Sequence, residues 1–540
     1  MTDNFDFERA LLRLPTPGVR VQTQRRRRSE RPHQPSRWRK PFRLLRFAVL
    51  ISLVGFVQKP AAMSGRDFYV ATSGSPGNDG SSSRPMDLAT ALSADSPARA
   101  GDVIWVRGGV YRGRFTSYVS GKASAPVVVR NYPGERATID NPTDCSSYVV
   151  NGNYSWHWGL EVMSSGTHRR TKYAGTSCTV AEQTVHLDRG VGVSNNGSHT
   201  KLINMVIHDT QMGVSHWGTS DGPLSFEAYG NLIYYNGAEQ SSAPERRGQG
   251  HGFYTTSKAN GPTRLVDNIV HSQFSQGIRV GDDPSFRPHL EGNISYLNGD
   301  FIASMGGRNI YVGGSNDQAG NEPMTGAVIR SNYTYYRRNQ RENGPGNPGA
   351  SEGLNAGLWW PRASGEISGN YLAGFGGGHA LQLGYWNHFK ASPCERNTFH
   401  GGNATDGPVD AYGQQQCPPS TNTYLTGRPD ANAVFVRPNL YEAGRAHIAI
   451  YNWENLPMVG VNLSKAGLSE GQAFEVRDAM NLYAGAVATG TYSSGSPTVS
   501  IAMTGLRRAS MAGEDDISPD FRALLAHSAP EFGAFILLPR

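Results

Sequence analysis

At 540 residues the chain is long enough for more than one domain, and 38% hydrophobic residues with 65 glycines suit a turn-rich β protein rather than a helical one. The formal charge of +7 points to a nucleic-acid partner only until it is located. Residues 1–64 hold 14 of the Lys and Arg against four acidic residues, which leaves 37 basic and 40 acidic residues in the rest. No basic field remains to steer a polyphosphate, so nucleic acid is excluded as the partner.

The first 64 residues read as a basic leader and signal peptide. Basic residues end at Arg46, an apolar run of 11 residues follows at 47–57, and small residues around Ala62-Met63-Ser64 offer a cleavage site. Eleven residues are too few for a stable membrane span, although an uncleaved anchor is the alternative. The expectation is a secreted or periplasmic protein with no stable span after cleavage, acting as a monomer.

Asp67-Phe68-Tyr69-Val70-Ala71 alternates as a strand should, a Gly/Ser/Pro/Asn loop follows at 74–85, and Leu88–Leu92 is a short helix before the strand Val103-Ile104-Trp105-Val106. Further on a motif returns: an Asn leading a short apolar run, then glycine, then a second short strand. Its instances begin at Asn204, Asn231, Asn268, Asn293, Asn332, Asn370 and Asn397, spaced 27, 37, 25, 39, 38 and 27 residues apart. A unit of about 25 residues with variable insertions is the mark of a solenoid. Such a strand cannot bury its apolar side alone, so units must stack. Stacked coils superimpose their asparagines, which can then bond one another in a ladder and satisfy backbone groups at each turn.

After Arg428 the ladder motif stops and about seven short strands follow, from Val434-Phe435-Val436 to Ala534-Phe535-Ile536-Leu537. They predict a small antiparallel β-sandwich. The domain reading is therefore 1–64 leader, 65–427 solenoid with an N-terminal cap, and 428–540 sandwich. Cys145, Cys178, Cys394 and Cys417 all follow the leader and form no C-x-x-C pair. Of the three possible pairings of two disulfides, Cys145 with Cys178 and Cys394 with Cys417 is preferred.

The stretch FYVATSGSPGNDGSSSRP through AGDVIWVRGGVYRG, with GHGFYTTS at 250–257 and DNIVHSQFSQGIRV at 267–280, resembles the cap and coils of secreted right-handed parallel β-helix proteins of the pectin-lyase-like superfamily. The resemblance implies an all-β fold, a right-handed parallel β-helix followed by the sandwich. The sandwich is similar to modules attached to many glycoside-processing enzymes. This architecture carries lyases, hydrolases, esterases and adhesins alike, so no single reaction is implied.

Aligning the strands after each Asn motif puts Val214, Phe253, Ile278, Ile310, Leu358 and Leu381 inward and Ser215, Tyr254, Arg279, Tyr311, Trp359 and Gln382 in one outward row. Aromatic faces at coil spacing suit pyranose rings, and arginine suits a carboxylate. Tyr254, Tyr311, Trp359 and Gln382 are thus candidate contacts for an extracellular polysaccharide. His251, flanked by glycines beside the row, is a candidate base or carboxylate holder; His216 reads as inward. β-Elimination of a uronate needs a base and a fixed cation, and the resemblance implies Lys or His with Arg, hence Lys258, His251 and Arg279. Asp282 and Asp283, with Glu291, are a candidate acid pair or calcium ligands. The sequence thus favours a polysaccharide lyase, with a glycoside hydrolase or a non-catalytic glycan-binding protein as alternatives.

Overall fold

The computed structural model describes residues 65–540 except 144, 172–187, 219–224, 241–246, 258–261, 282–286, 300–307, 314–323, 337–357, 375–378, 384–389, 402–407 and 410–414. Backbone alone is described at 171, 218, 240, 247–249, 257, 324–325, 358–364, 374, 382 and 390–392.

The short strands wind into coils whose equivalents stack as three parallel sheets. One coil runs Thr263–Val266 in the first sheet, Ile269–His271 in the third and Ile278–Val280 in the second, and Pro288–Glu291 re-enters the first one level on. The third sheet has 11 strands; the first and second join through Leu358–Ser368, whose two ends pair in different sheets. The fold class is therefore the expected right-handed parallel β-helix. Each inward side chain stacks on its equivalent one coil away, and Val214, Phe253, Ile278, Ile310 and Leu381 are all buried in one continuous core. Burial of one such side chain contributes roughly 1.5–3 kcal/mol.

The ladder runs Asn231, Asn268, Asn293, Asn332, Asn370, Asn397 and Asn422. From Asn268 onward each side-chain oxygen accepts from the Nδ2 and the backbone N–H of the Asn one coil before, as Asn293 does from Asn268 at 2.9 and 3.0 Å. Asn204 is a correction. In its coil the ladder position is Met205, whose N–H bonds Asn231 at 2.8 Å, while Asn204 holds the preceding left-handed position with φ 50°. Gly230, Asp267, Gly292, Ser331, Gly369 and Arg396 occupy that position in the later coils, all at positive φ. Asn is tolerated there as well as in the ladder, so its identity alone cannot fix the register. A second ladder, Asn236 to Gln273 to Asn298 to Asn309, lines the next turn and carries no Asn-led apolar run to announce it.

Cys394 and Cys417 form the expected disulfide, with Cα atoms 5.0 Å apart. Cys145 is also disulfide-bonded, and its expected partner Cys178 lies outside the described residues.

The last parallel strand is Thr423–Leu425, and the first antiparallel one is Ala433–Pro438. Five antiparallel strands form one sheet and Met458–Asn462 with Thr498–Ala502 form another, enclosing Ile448, Ile450, Val459, Val461, Ile501, Phe535 and Leu537. The outer face of the five-stranded sheet, with Ala449, Tyr451, Ala534 and Ile536, packs on Leu232, Ile269, Ile294, Tyr333 and Tyr371 of the third sheet. The Tyr451 hydroxyl donates to the Thr334 carbonyl at 2.9 Å and Trp453 Nε1 donates to the Tyr371 hydroxyl at 2.8 Å. The sandwich thereby covers the third sheet from Val206 to Tyr371, and the other two sheets are where an open ligand face is sought.

Candidate functional site

On the second sheet the observed register pairs Ser215 with Tyr254, Tyr254 with Arg279, Arg279 with Tyr311, Tyr311 with Trp359 and Trp359 with Gln382. The row obtained from strand alternation is the row in the structure. Its centre is Arg279, whose Cζ lies 4.7 Å from the Tyr254 ring centroid and 5.3 Å from that of Tyr311. Neighbouring strands are about 4.8 Å apart, so a guanidinium in one coil falls between rings in the coils on either side. Stacked this way it is attracted by both rings and loses much of its rotational freedom.

The row is not an open aromatic platform along its length. Tyr311 is 5% exposed and Ser215 8%, whereas Tyr254 and Arg279 are half-buried. With a ring face given to Arg279 and so little surface left, Tyr311 is the back wall of the sandwich; the expectation that it binds a sugar face is corrected accordingly. For Trp359 and Gln382 only register is described. Trp217, beside the row, is 45% exposed, with its ring edge-on to Tyr254 at 5.5 Å. It stands two residues beyond Ser215 in the same strand, so the alternation that gave the row also reaches it.

His251 lies beside this group, its ring edge-on to Tyr254 at 5.5 Å. The Gln276 N–H donates to its Nδ1 at 3.2 Å. Burial, reinforced by the Arg279 charge, pushes the imidazole down to about 3, so it is neutral at ordinary pH. A neutral imidazole that accepts at Nδ1 carries its proton on Nε2. Its free edge therefore donates, and of the two roles expected for His251 the geometry favours holding a substrate oxygen over taking a proton. His216 points inward as expected, fully buried, with Nδ1 3.1 Å from the Asn195 carbonyl and its ring against Phe226.

Lys258, Asp282 and Asp283 lie outside the described residues. Glu291 does not join the row. It belongs to the first sheet, takes a 2.7 Å bond from His289 Nε2 and faces Arg437 of the sandwich at 3.9 Å. The His289 bond holds its carboxyl below the ordinary range, which suits a structural anion rather than a proton donor.

Residues 68–222 match the family model described as the Pel9A-like right-handed beta helix region. Among solved structures, pectate lyase Pel9A is similar at 19% identity over 69% of this chain and 83% of that chain, with a TM-score of 0.40. GH136 lacto-N-biosidase from Eubacterium ramulus is similar at 13% identity over 67% of this chain and 68% of that one, with a TM-score of 0.42. An alginate lyase from Paenibacillus sp. str. FPU-7 is similar at 15% identity over 60% of this chain and 99% of that one, with a TM-score of 0.34. No curated protein matches the chain. The chain is therefore a right-handed parallel β-helix, as the resemblance led one to expect, and over residues 68–222 it is similar to the Pel9A-like region.

Proposed function

We propose that this is an exported polysaccharide lyase that cleaves a uronate-containing glycan by β-elimination at the second sheet. The observation that carries the proposal is Arg279 fixed between Tyr254 and Tyr311, with the His251 imidazole and the exposed Trp217 ring beside the same tyrosine. In β-elimination the C5–H bond breaks, its electron pair forms the C4–C5 double bond, and the C4–O bond breaks with the leaving oxygen taking a proton. Negative charge moves onto the C5 carboxylate in the transition state. A cation already oriented and partly desolvated stabilises that charge without reorganising. Arg279 takes this role, Trp217 and Tyr254 contact the sugar, and His251 donates from Nε2. Lys258, one of the two bases expected from the sequence, follows the strand Phe253–Ser257 directly in the chain. The roles of Arg279, Tyr254 and His251 do not pass through calcium, whose expected ligands Asp282 and Asp283 lie outside the described residues.

The test is to incubate the full chain with polygalacturonate, alginate and a neutral glucan, with and without added calcium. Ultraviolet absorbance rising from an unsaturated uronate, on an acidic polymer only, is the expected result. New reducing ends without that absorbance would replace the lyase by a hydrolase, and binding without any product would remove both enzymatic readings.

A further inference from the structure

The outer face of the first sheet repeats the arrangement around Arg279. Register places Tyr69, Trp105, Arg130 and Trp158 in one row over four successive coils. The Arg130 Cζ lies 5.1 Å from the Trp105 ring centroid and 4.1 Å from that of Trp158. Tyr132 closes one side against Trp105 at 6.0 Å. Tyr441, from the sandwich loop between Ala433–Pro438 and Ala446–Tyr451, closes the other, edge-on to Trp156 and Trp158 at 5.9 and 5.8 Å.

What separates Arg130 from its neighbours is its missing partner. Arg107 pairs with Glu135 at 2.8 Å, Arg136 with Glu161 at 2.6 Å, Arg264 with Glu227 at 3.2 Å and Arg330 with Glu366 at 2.8 Å. The Arg130 side chain makes no hydrogen bond or ion pair among the described residues. Its Nε is enclosed and unsatisfied, which leaves the Nη edge as its outlet to solvent. Burial lowers its hold on the proton, and Glu442, whose charge opposes that shift, is itself engaged by Asn204 at 3.0 Å and Arg445 at 3.4 Å. A half-buried guanidinium without an anion is costly, and ring stacking offsets only part of that cost.

We propose that this face carries a second binding site, for the carboxylate of a sugar in an acidic polysaccharide, with Arg130 as its fork and Trp156, Tyr132 and Tyr441 as the walls for the ring; these three also stack with Lys201 and Arg107 but, unlike Tyr311, remain partly exposed. Bidentate pairing of a fixed guanidinium with a carboxylate supplies the missing anion, and the C–H faces of a pyranose fit aromatic walls better than water does. The site holds polymer away from the second sheet and performs no chemistry. It shares with the proposed function only the class of ligand.

Binding is measured by affinity electrophoresis of the full chain in polygalacturonate and in its fully methyl-esterified counterpart, in an Arg279→Ala background so that the other fork is silent. Arg130→Gln is expected to weaken retention by the acidic polymer about tenfold, the scale of a charge-assisted bidentate contact. Trp105→Ala is expected to act in the same direction by freeing the guanidinium, and the esterified polymer to be retained weakly by all variants. With Arg279 restored, Arg130→Gln should leave turnover of a short oligouronate unchanged and slow turnover of dilute polymer. Undiminished acidic retention in an Arg130→Gln variant that melts like the parent overturns the site, as does equal retention of both polymers. A chain that turns over nothing but loses acidic retention on Arg130→Gln would sink the lyase and leave this site standing.

Discussion

Arg279 on the second sheet and Arg130 on the first are the same device built twice. In each, a guanidinium in one coil is caught between aromatic rings of the coils above and below. The solenoid supplies the vertical spacing, so any outward position can generate such a fork once its neighbours are aromatic. The two differ in what the turns bring beside them. Arg279 has His251 and the exposed indole of Trp217 at hand; Arg130 has the aromatic walls Trp156 and Tyr441. A third cation, His208 on the third sheet, stacks flat on Tyr234 at 4.6 Å but receives both its carboxylates from the protein, Asp209 at 2.7 Å and Glu161 at 3.0 Å. Stacking thus fixes a cation in all three cases, and between Arg130 and His208 the source of the anion separates a site from structure.

The largest expected effect separates the two arginines. Arg279→Ala should lower kcat/KM on an acidic polymer by about 10²–10³-fold, the usual loss when one transition-state donor is removed, with little change in Tm. Arg279→Lys should recover little of it, because an ammonium neither forks nor stacks as a guanidinium does. Arg130→Ala should leave turnover of a short oligouronate within a factor of two of the parent. Equal losses at both arginines in that assay would break the distinction drawn between them.

Next in size is the internal pair at His208. Burial alone would lower its pKa, yet Asp209 and Glu161 hold it up to about 9, while Glu161, against its own burial, is held down to about 2 by His208 and Arg136. The folded His208 value lies above the unfolded one, so its stabilisation is complete below about pH 6.5 and is lost as pH rises through about 9. The Glu161 contribution is complete above about pH 4.5 and is lost as pH falls through about 2. His271, two strands on in the same stack, lacks a carboxylate and is pushed down to about 3 by burial, so it destabilises the fold as pH falls below about 6.5. His208→Asn should cost about 3–5 kcal/mol at pH 6, the cost of stranding buried carboxylates, and should flatten the alkaline decline in Tm. A variant whose Tm between pH 7 and 10 follows that of the parent would remove His208 as the paired cation.

These three cations were unequally legible in the sequence. The Asn repeat sets the coil length, strand alternation sets the outward row, and together they place Arg279 between two tyrosines. Arg130 follows from the same two rules, but its coil lies before the Asn ladder begins at Asn231, so no ruler reached it. The His208 pair was hidden for another reason. Its face mixes charged Glu161 and His208 with apolar and aromatic side chains, all buried, and a face buried by a second domain has no signature in one strand's alternation. Burial also decided against Tyr311 as a sugar contact, since position on an outward face does not say what lies over that face. Asn204 was misread because the left-handed turn and the ladder both favour asparagine.

A smaller effect tests what stands beside Arg279. His251 is neutral with its proton on Nε2, so it contributes a hydrogen bond and not a base. His251→Asn keeps a donor and should lower kcat/KM by less than about tenfold, the scale of one hydrogen bond. Because the folded imidazole titrates near 3, the pH profile of kcat/KM should show no His251 ionisation between pH 5 and 8. An acidic limb near pH 6.5 that disappears in His251→Asn would restore the imidazole as the base and move that role away from Lys258.

The smallest expected effect falls on Trp217, and it bears most directly on how the two forks differ. Its ring is exposed and touches Tyr254 by an edge, so removing it takes away apolar surface from the substrate side while leaving the Arg279 sandwich in place. If the indole contacts a neighbouring sugar equally in the ground and transition states, Trp217→Ala should raise KM a fewfold, within the roughly 0.5–1.5 kcal/mol of one aromatic contact, and leave kcat alone. A fall in kcat at constant KM would instead mean that Trp217 holds Tyr254, and through it the guanidinium, in position. In that case the Arg279 fork depends on a side-on brace that Arg130, enclosed by Tyr132 and Tyr441 on both sides, obtains from its walls.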